Sequence, residues 1–288
     1  MQISLTLFLI LAPIAGGFLA GIDRKISARM QNRVGPPLWQ PLADVFKLME
    51  KENIVVRRSQ NLYITFFCIF VVFTGGIFFA GGDLLLVIFA LTLACIFFVL
   101  GGYKASSPYS FIGAERELLQ MMAYEPALIL TALGFYMVCG SFMVHDIMNS
   151  GKPVYLYLPG VFISFVICLI VKFRKSPFDL STSHHAHQEI VKGITTEFSA
   201  KTLAIIEIAH WYEYIFLLGI VYLFFHNNIL LGLSSVAAVV MFLILIDNVT
   251  ARVKWQAAVF VIWTITIIFG GGNILVLFLM NMMNKGGN

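Results

Sequence analysis

Residues Arg174 to Glu213 read RKSPFDLSTSHHAHQEIVKGITTEFSAKTLAIIEIAHWYE, and this stretch decides how the rest of the chain is understood. Five carboxylates (Asp179, Glu189, Glu197, Glu207 and Glu213) and four histidines sit here in an otherwise apolar chain. An ionisable group at membrane depth is costly unless it is paired, hydrated or put to use. The stretch therefore points to groups that carry protons or ions, or that transmit charge between a soluble redox partner and the membrane.

Working outward, the 288 residues are 59% hydrophobic and only 12% charged, about half the globular share of about 25%. Mean hydropathy is +0.89. This is a multi-span membrane chain in contact with lipid, not a soluble domain. The net charge of +4 does not imply a nucleic-acid partner, because its placement has a better explanation. Cys68, Cys95, Cys139 and Cys168 all lie inside apolar runs without close pairing. They read as small buried residues, not as disulfide, zinc or cluster ligands. The first apolar segment runs straight into charge with no small-residue cleavage site, so it reads as a retained span.

Eight apolar segments are expected, at about Ile3–Ala20, Leu62–Phe79, Leu84–Leu100, Leu118–Met143, Leu158–Phe173, Thr202–Phe225, Ser235–Ile246 and Ala257–Met280. Most approach the length a bilayer demands. With eight spans, loops 23–58, 101–117, 172–201 and 251–256 share one side and hold 8, 2, 5 and 2 Lys/Arg. Only Lys152 and Lys285 fall opposite. By the positive-inside rule those loops are cytoplasmic and both termini lie outside. The expected fold is all-α: one integral membrane domain over residues 1–288, with eight transmembrane helices and a cytoplasmic-side amphipathic helix. Its two long loops are 23–58 and 172–201.

In loop 23–58, Arg24, Lys25, Arg29 and Arg33 form a basic cluster that orientation alone would explain. Gly35, Pro36 and Pro37 force a turn, and Pro41 suits the first turn of a helix. Leu42, Val45, Phe46, Leu48 and Met49 then give that helix an apolar side. It suits a membrane surface, the flank of the bundle or a docking soluble partner equally.

The fourth segment starts polar. Glu115, Arg116 and Glu117 lie near the surface and are candidates to face a soluble partner. Glu125 lies deeper, before Pro126, and needs Arg116 or water as its partner. It reads either as a proton- or ion-handling carboxylate or as a structural hydrogen bond between helices. In the organising stretch, His184, His185 and His187 suit interface contacts or proton relay better than a metal, since no HExxH pattern or cysteine is near. Glu207, His210 and Glu213 recur at intervals of three along one helical side. They read as a proton path or as a polar seam between helices. Asp247 either joins that seam or anchors a helix end beside Arg252 and Lys254.

Three runs carry a resemblance. RVGPPLWQPLADVFKLMEKE, RELLQMMAYE, and SPFDL followed by EIVKGITTEFS resemble the membrane-embedded H subunit of respiratory complex I over nearly the whole chain. The STSHHAHQ run, the GAERE run and IEIAHWYEY look like the related branch in energy-converting, membrane-bound [NiFe] hydrogenases of the Ech type. In complex I a glutamate and a tyrosine usually stand near the positions of His210 and Trp211.

The resemblance implies a membrane anchor and coupling subunit between a peripheral [NiFe] hydrogenase and an antiporter-like membrane subunit. Ferredoxin would donate electrons, hydrogen would be evolved or taken up, and protons or sodium ions would move. The peripheral partners would be the hydrogenase large subunit, the iron–sulfur small subunit and further subunits. The nickel centre and iron–sulfur clusters would sit in them, with no metal or cofactor in this chain. Glu125, Asp179, Glu189, Glu197, Glu207, His210 and Glu213 would form the coupling path. Arg24, Arg29, Arg33, Glu115, Arg116, Glu117, His184, His185 and His187 would meet the peripheral module. The resemblance leaves two alternatives: a quinone-site subunit of an NADH dehydrogenase-like complex, and a formate hydrogenlyase membrane subunit.

Overall fold

A computed structural model describes residues 2–53, 58–182 and 191–286. Every regular element among the described residues is a helix. Helix α1 is Gln2–Met30, α2 Gln40–Glu50, α3 Arg58–Phe79, α4 Leu84–Tyr103 and α5 Pro108–Cys139. Short helices α6 (Val144–Asn149) and α7 (Val154–Tyr157) lead into α8 (Pro159–Lys172). Then come α9 (Ala200–Phe224), α10 (Ile229–Val249), α11 (Trp255–Ile265) and α12 (Gly272–Gly286), with a π-helical stretch, Thr266–Gly271, joining the last two.

Among the described residues, seven helices are long and apolar enough to cross a membrane. Helix α8 is apolar but has only 14 residues. Each segment predicted from hydropathy is centred on helix, and several helices run further than predicted, while α5 stops at Cys139, short of the expected Met143. Helix α1 continues to Met30, so Arg24, Lys25 and Arg29 ride on a continuous helix beyond its apolar stretch. Helix α5 begins at Pro108, a good first-turn residue, so Glu115, Arg116 and Glu117 are helical.

Inside a bilayer the hydrophobic effect does not drive helix to helix, so contact depends on close packing and polar pairing. Helices α3, α4 and α5 pack in sequence, while α9 runs between α1, α2, α3 and α10. Small residues let backbones meet. A Cβ on Gly21 of α1 would overlap the Leu38 carbonyl, and one on Gly113 of α5 would overlap the Gly193–Ile194 backbone. Gly75 receives the Phe8 ring, and Gly270 lies against Ser164, each in space a side chain would fill.

Helix α2 lays Leu42, Val45 and Leu48 against Ala204, Ile208 and Trp211 of α9. Phe46 and Met49, expected on the same apolar side, are exposed instead. The spacing of three at 42, 45 and 48 selects the stripe that α9 can cover.

Candidate functional site

The site is built where α8 stops. Lys175 N–H bonds the Ile170 carbonyl and Arg174 N–H bonds that of Val171, each at 3.0 Å. This is the Schellman closure of a helix, and it places Arg174 at φ 52, in the left-handed region. Glycine normally occupies that position, because a side chain there costs roughly 1–2 kcal/mol. The cost is offset by where the side chain goes. The tight turn aims Lys172, Arg174 and Lys175 at three different sets of acidic partners.

Lys172 Nζ lies 2.7 Å from Glu213 Oε1 and 2.9 Å from Cys95 Sγ. The Lys172 and Glu213 side chains are 3% and 5% exposed, so this is a dry ion pair. Arg174 Nη2 donates to Glu117 Oε1 at 3.1 Å, and its Nη1 lies 2.6 Å from His210 Nε2. His210 Nδ1 is 3.3 Å from Glu213 Oε2, which closes the chain Glu117–Arg174–His210–Glu213–Lys172. Which ring nitrogen carries the proton follows from these partners. Ser181 Oγ donates to the other Glu117 oxygen. Lys175 binds both Asp23 and Asp247, and Asp247 also accepts from Ser176 N–H at 2.8 Å.

Lys175 and Arg174 lie beyond the end of α8. Burial works against the charge on Lys175, but Tyr214, Asp23 and Asp247 outweigh it and hold its pKa above the ordinary lysine value. Burial likewise opposes the charge on Arg174, and the Glu117 and Glu213 carboxylates keep it raised.

Beside this network is a cavity of about 710 Å³, within the usual range for ligand clefts. Its wall includes Asp23, Arg24, Arg33, Lys172, Arg174, Lys175, Glu207, His210, Glu213, Tyr214 and Asp247, with Phe173, Ile206 and Trp211 as apolar faces. The arrangement gives a change of charge in the cavity a direct electrostatic route to buried, mutually paired groups.

The expected path residues divide. Glu207, His210 and Glu213 meet at the cavity, as the intervals of three require. Glu125 is elsewhere, half-buried, and accepts from Thr92 Oγ1 at 3.1 Å rather than from Arg116. Arg116 instead reaches the Leu180 carbonyl, at 3.5 Å. Asp179 is buried beside Arg252, with Nε 3.4 Å from Oδ1. Glu197 is half-buried and is not part of the cavity wall. Glu189, His184, His185 and His187 lie outside the described residues.

Among the expected docking residues, Arg29, Arg33 and Glu115 are exposed, and Arg24 pairs with Asp44 at 2.9 Å. Glu117 differs from expectation. It is buried, because α5 turns that face toward Arg174 and Ser181. Among the described residues no group of three or more His, Cys, Asp or Glu is placed to hold a metal ion.

Sequence reasoning missed Lys172, Arg174, Asp23 and Cys95. In sequence the first two look like nothing more than the basic end of a span. The available signal is arithmetic: several acids at membrane depth need buried cations, and these are the cations nearest in sequence.

The fold and site together define a polytopic membrane subunit with a buried ion network opening on a cavity at its charge-rich end. Residues 2–278 match the family described as NADH dehydrogenase, and the chain belongs to that family. It is 34% identical over 233 residues to the H subunit of NADH-quinone oxidoreductase from Geobacillus sp. (strain WCH70), covering 73% of this chain and 68% of that one. It is 31% identical over 216 residues to Hydrogenase-4 component C of Escherichia coli (strain K12), covering 69% and 66%. A chain in the structure of the membrane-bound sulfane sulfur reductase (MBS), an archaeal respiratory membrane complex, superposes with a TM-score of 0.84 at 26% identity. That match covers 96% of this chain and 99% of the other. The protein is thus a multi-pass membrane subunit of a complex I- or hydrogenase-like oxidoreductase assembly.

Proposed function

We propose that this chain couples electron transfer in a peripheral redox module to ion movement in the membrane, as the quinone-site subunit of an NADH dehydrogenase-like complex. The observation that carries this is the continuous network Glu117–Arg174–His210–Glu213–Lys172 beside the cavity. The family description and the NADH-quinone oxidoreductase relatives favour this reading over the hydrogenase reading suggested by the loop motifs. A quinone headgroup fits the cavity by size, with Tyr214 as a hydrogen-bonding group and Phe173, Ile206 and Trp211 as apolar walls. When bound, the quinone would supply a two-electron acceptor whose reduction takes up protons. The chain's own groups then respond. Glu207, His210 and Glu213 line the cavity and exchange protons, while the buried cations hold the remaining carboxylates ionised. Asp179, Glu125, Glu189 and Glu197 complete the proposed path.

A second reading has its own support in the relative named Hydrogenase-4 component C. In this reading the chain anchors a ferredoxin-dependent [NiFe] hydrogenase of the Ech type, beside an antiporter-like subunit. The nickel and iron–sulfur centres belong to the partners. Both readings share a topology of eight crossings, with α8 as the shortest, both termini outside, and loops 23–58 and 172–201 facing the peripheral module.

Purification of the whole complex in gentle detergent separates the readings. Bound quinone and NADH-dependent quinone reduction support the first. Nickel with ferredoxin-dependent hydrogen evolution supports the second. Under either, Glu207→Gln should lower ion movement per electron in an assembled complex, and charge reversal at Arg29 and Arg33 should loosen the peripheral module. Unchanged ion movement together with salt-resistant attachment would refute the coupling role.

A further inference from the structure

The Lys172 ammonium has two buried acceptors. Its Nζ lies 2.7 Å from Glu213 Oε1 and 2.9 Å from Cys95 Sγ. Tyr124 borders the same pocket, with its ring centroid 4.7 Å from Nζ and its hydroxyl 3.5 Å from Sγ. Lys172, Cys95, Tyr124 and Glu213 are all buried, and they come from four helices. Cys168 is buried one turn before Lys172, and His210 borders Glu213 on the cavity side. In so dry a site one cation supports one anion well and two poorly. The two acids beside Lys172 therefore compete for the ionised state.

We propose that Cys95 is a proton-carrying group that exchanges with Glu213 the role of counter-ion to Lys172. The proposal rests on the coupling function proposed for this chain and adds a residue that no carboxylate pattern reveals. A proton arriving by way of His210 forms an O–H bond on Glu213. The S–H bond of Cys95 breaks, and that proton passes on the α4–α5 side to the Glu125 carboxylate, forming an O–H bond there before release to the medium. Lys172 stays an ammonium and shifts its main hydrogen bond from carboxylate to thiolate. The site resets when Lys172 passes one proton to the sulfur and accepts the one on Glu213. One proton crosses per cycle and no electron moves. On the far side, Thr92, one turn before Cys95, donates to Glu125, the neighbour of Tyr124 in sequence. A thiol suits this exchange because it gives up its proton far more readily than an alcohol.

The test uses the assembled complex with Cys95→Ser, Cys95→Ala and Cys95→Asp, and Glu213→Gln in parallel. Cys95→Ser and Cys95→Ala should lower coupled ion movement by about a hundredfold, the scale of a lost proton-transfer group. Dye-linked electron transfer in the peripheral module should stay at the wild-type rate. Cys95→Asp, which can still ionise, should recover part of the coupling. Infrared difference spectra of the wild type during turnover should show loss of an S–H band that is absent from Cys95→Ser. Full coupling in Cys95→Ala, or an S–H band that never changes in the wild type, overturns the proposal. If Glu213→Gln abolishes coupling while Cys95→Ala does not, the ion network still couples and only the cysteine's part fails. If neither variant alters coupling, the proposed function itself fails. Should Cys95→Ala not assemble, the wild-type infrared measurement decides.

Discussion

The two ends of the helical bundle each set a basic side chain against a carboxylate, to opposite effect. At the charge-rich end, Lys172 and Glu213 pair at 2.7 Å with side chains 3% and 5% exposed. At the other end, His145 and Asp146 approach to 3.5 Å with both side chains 56% exposed. Solvent screens the second pair, so its worth is small. The first pair has no such screen, and breaking it strands a charge. The difference shows where electrostatic information can be stored: only an unscreened network senses a distant change of charge.

The largest effect should come from Lys172→Met, which leaves Glu213 without its closest cation. A loss of about 3–5 kcal/mol is expected, visible as a sharp drop in thermal stability or in the yield of assembled complex. Adding Glu213→Leu should return most of the stability, because the stranded carboxylate is gone, while ion coupling stays absent. A single variant as stable as the wild type would show that the charge-rich end is screened after all, like the other.

Arg174 tests whether the turn serves the charge. Arg174→Gly removes the partner of Glu117 and His210 but relieves the left-handed backbone. Arg174→Ala removes the same partner and keeps the backbone cost. Both should destabilise, with the glycine variant about 1 kcal/mol milder. Equal melting temperatures would mean that the turn carries no conformational cost.

Lys175 provides a pH test. Its pKa is raised in the folded chain, so the stability it contributes is fully present below the unfolded lysine value and is lost only as pH rises through the folded one. On titration past about pH 10.4, the ordinary lysine value, the wild type should keep its advantage over Lys175→Met. Convergence of the two unfolding curves near that pH would contradict the raised value.

Much of the scaffold is legible in the sequence alone. Long apolar runs of near-bilayer length become helices because backbone groups in lipid must be satisfied within the segment. The spacing of Glu207, His210 and Glu213 puts them on one side of α9, and they do meet at one cavity. The pairing is not legible. Lys172 and Arg174 stand at the end of an apolar run, where orientation alone accounts for basic residues. Only the Schellman turn shows that they point inward, and a turn built on arginine instead of glycine leaves no composition signal. Glu117 looks like a surface residue in sequence because its neighbours Glu115 and Arg116 are charged. One helical step turns it toward Arg174 instead.

The smallest effects belong to the screened end, and they separate two uses of an acid there. Asp83 caps α4: its Oδ1 accepts from Leu85 N–H at 2.7 Å and from Leu86 N–H at 3.3 Å. Those N–H groups have no helical partner, so Asp83→Ala should cost about 1 kcal/mol. Asp146 accepts from the Ser141 hydroxyl at 2.8 Å and lies 3.5 Å from His145, both of their side chains open to solvent. Asp146→Asn keeps an acceptor for Ser141 and gives up only a screened charge, so its effect should stay within about 0.5 kcal/mol. Added salt should leave the Asp83 effect in place, since it satisfies backbone, and should erase whatever remains at Asp146. A salt-resistant loss at Asp146 as large as that at Asp83 would mean that this end also holds an unscreened pair. Exposure would then no longer distinguish the two ends.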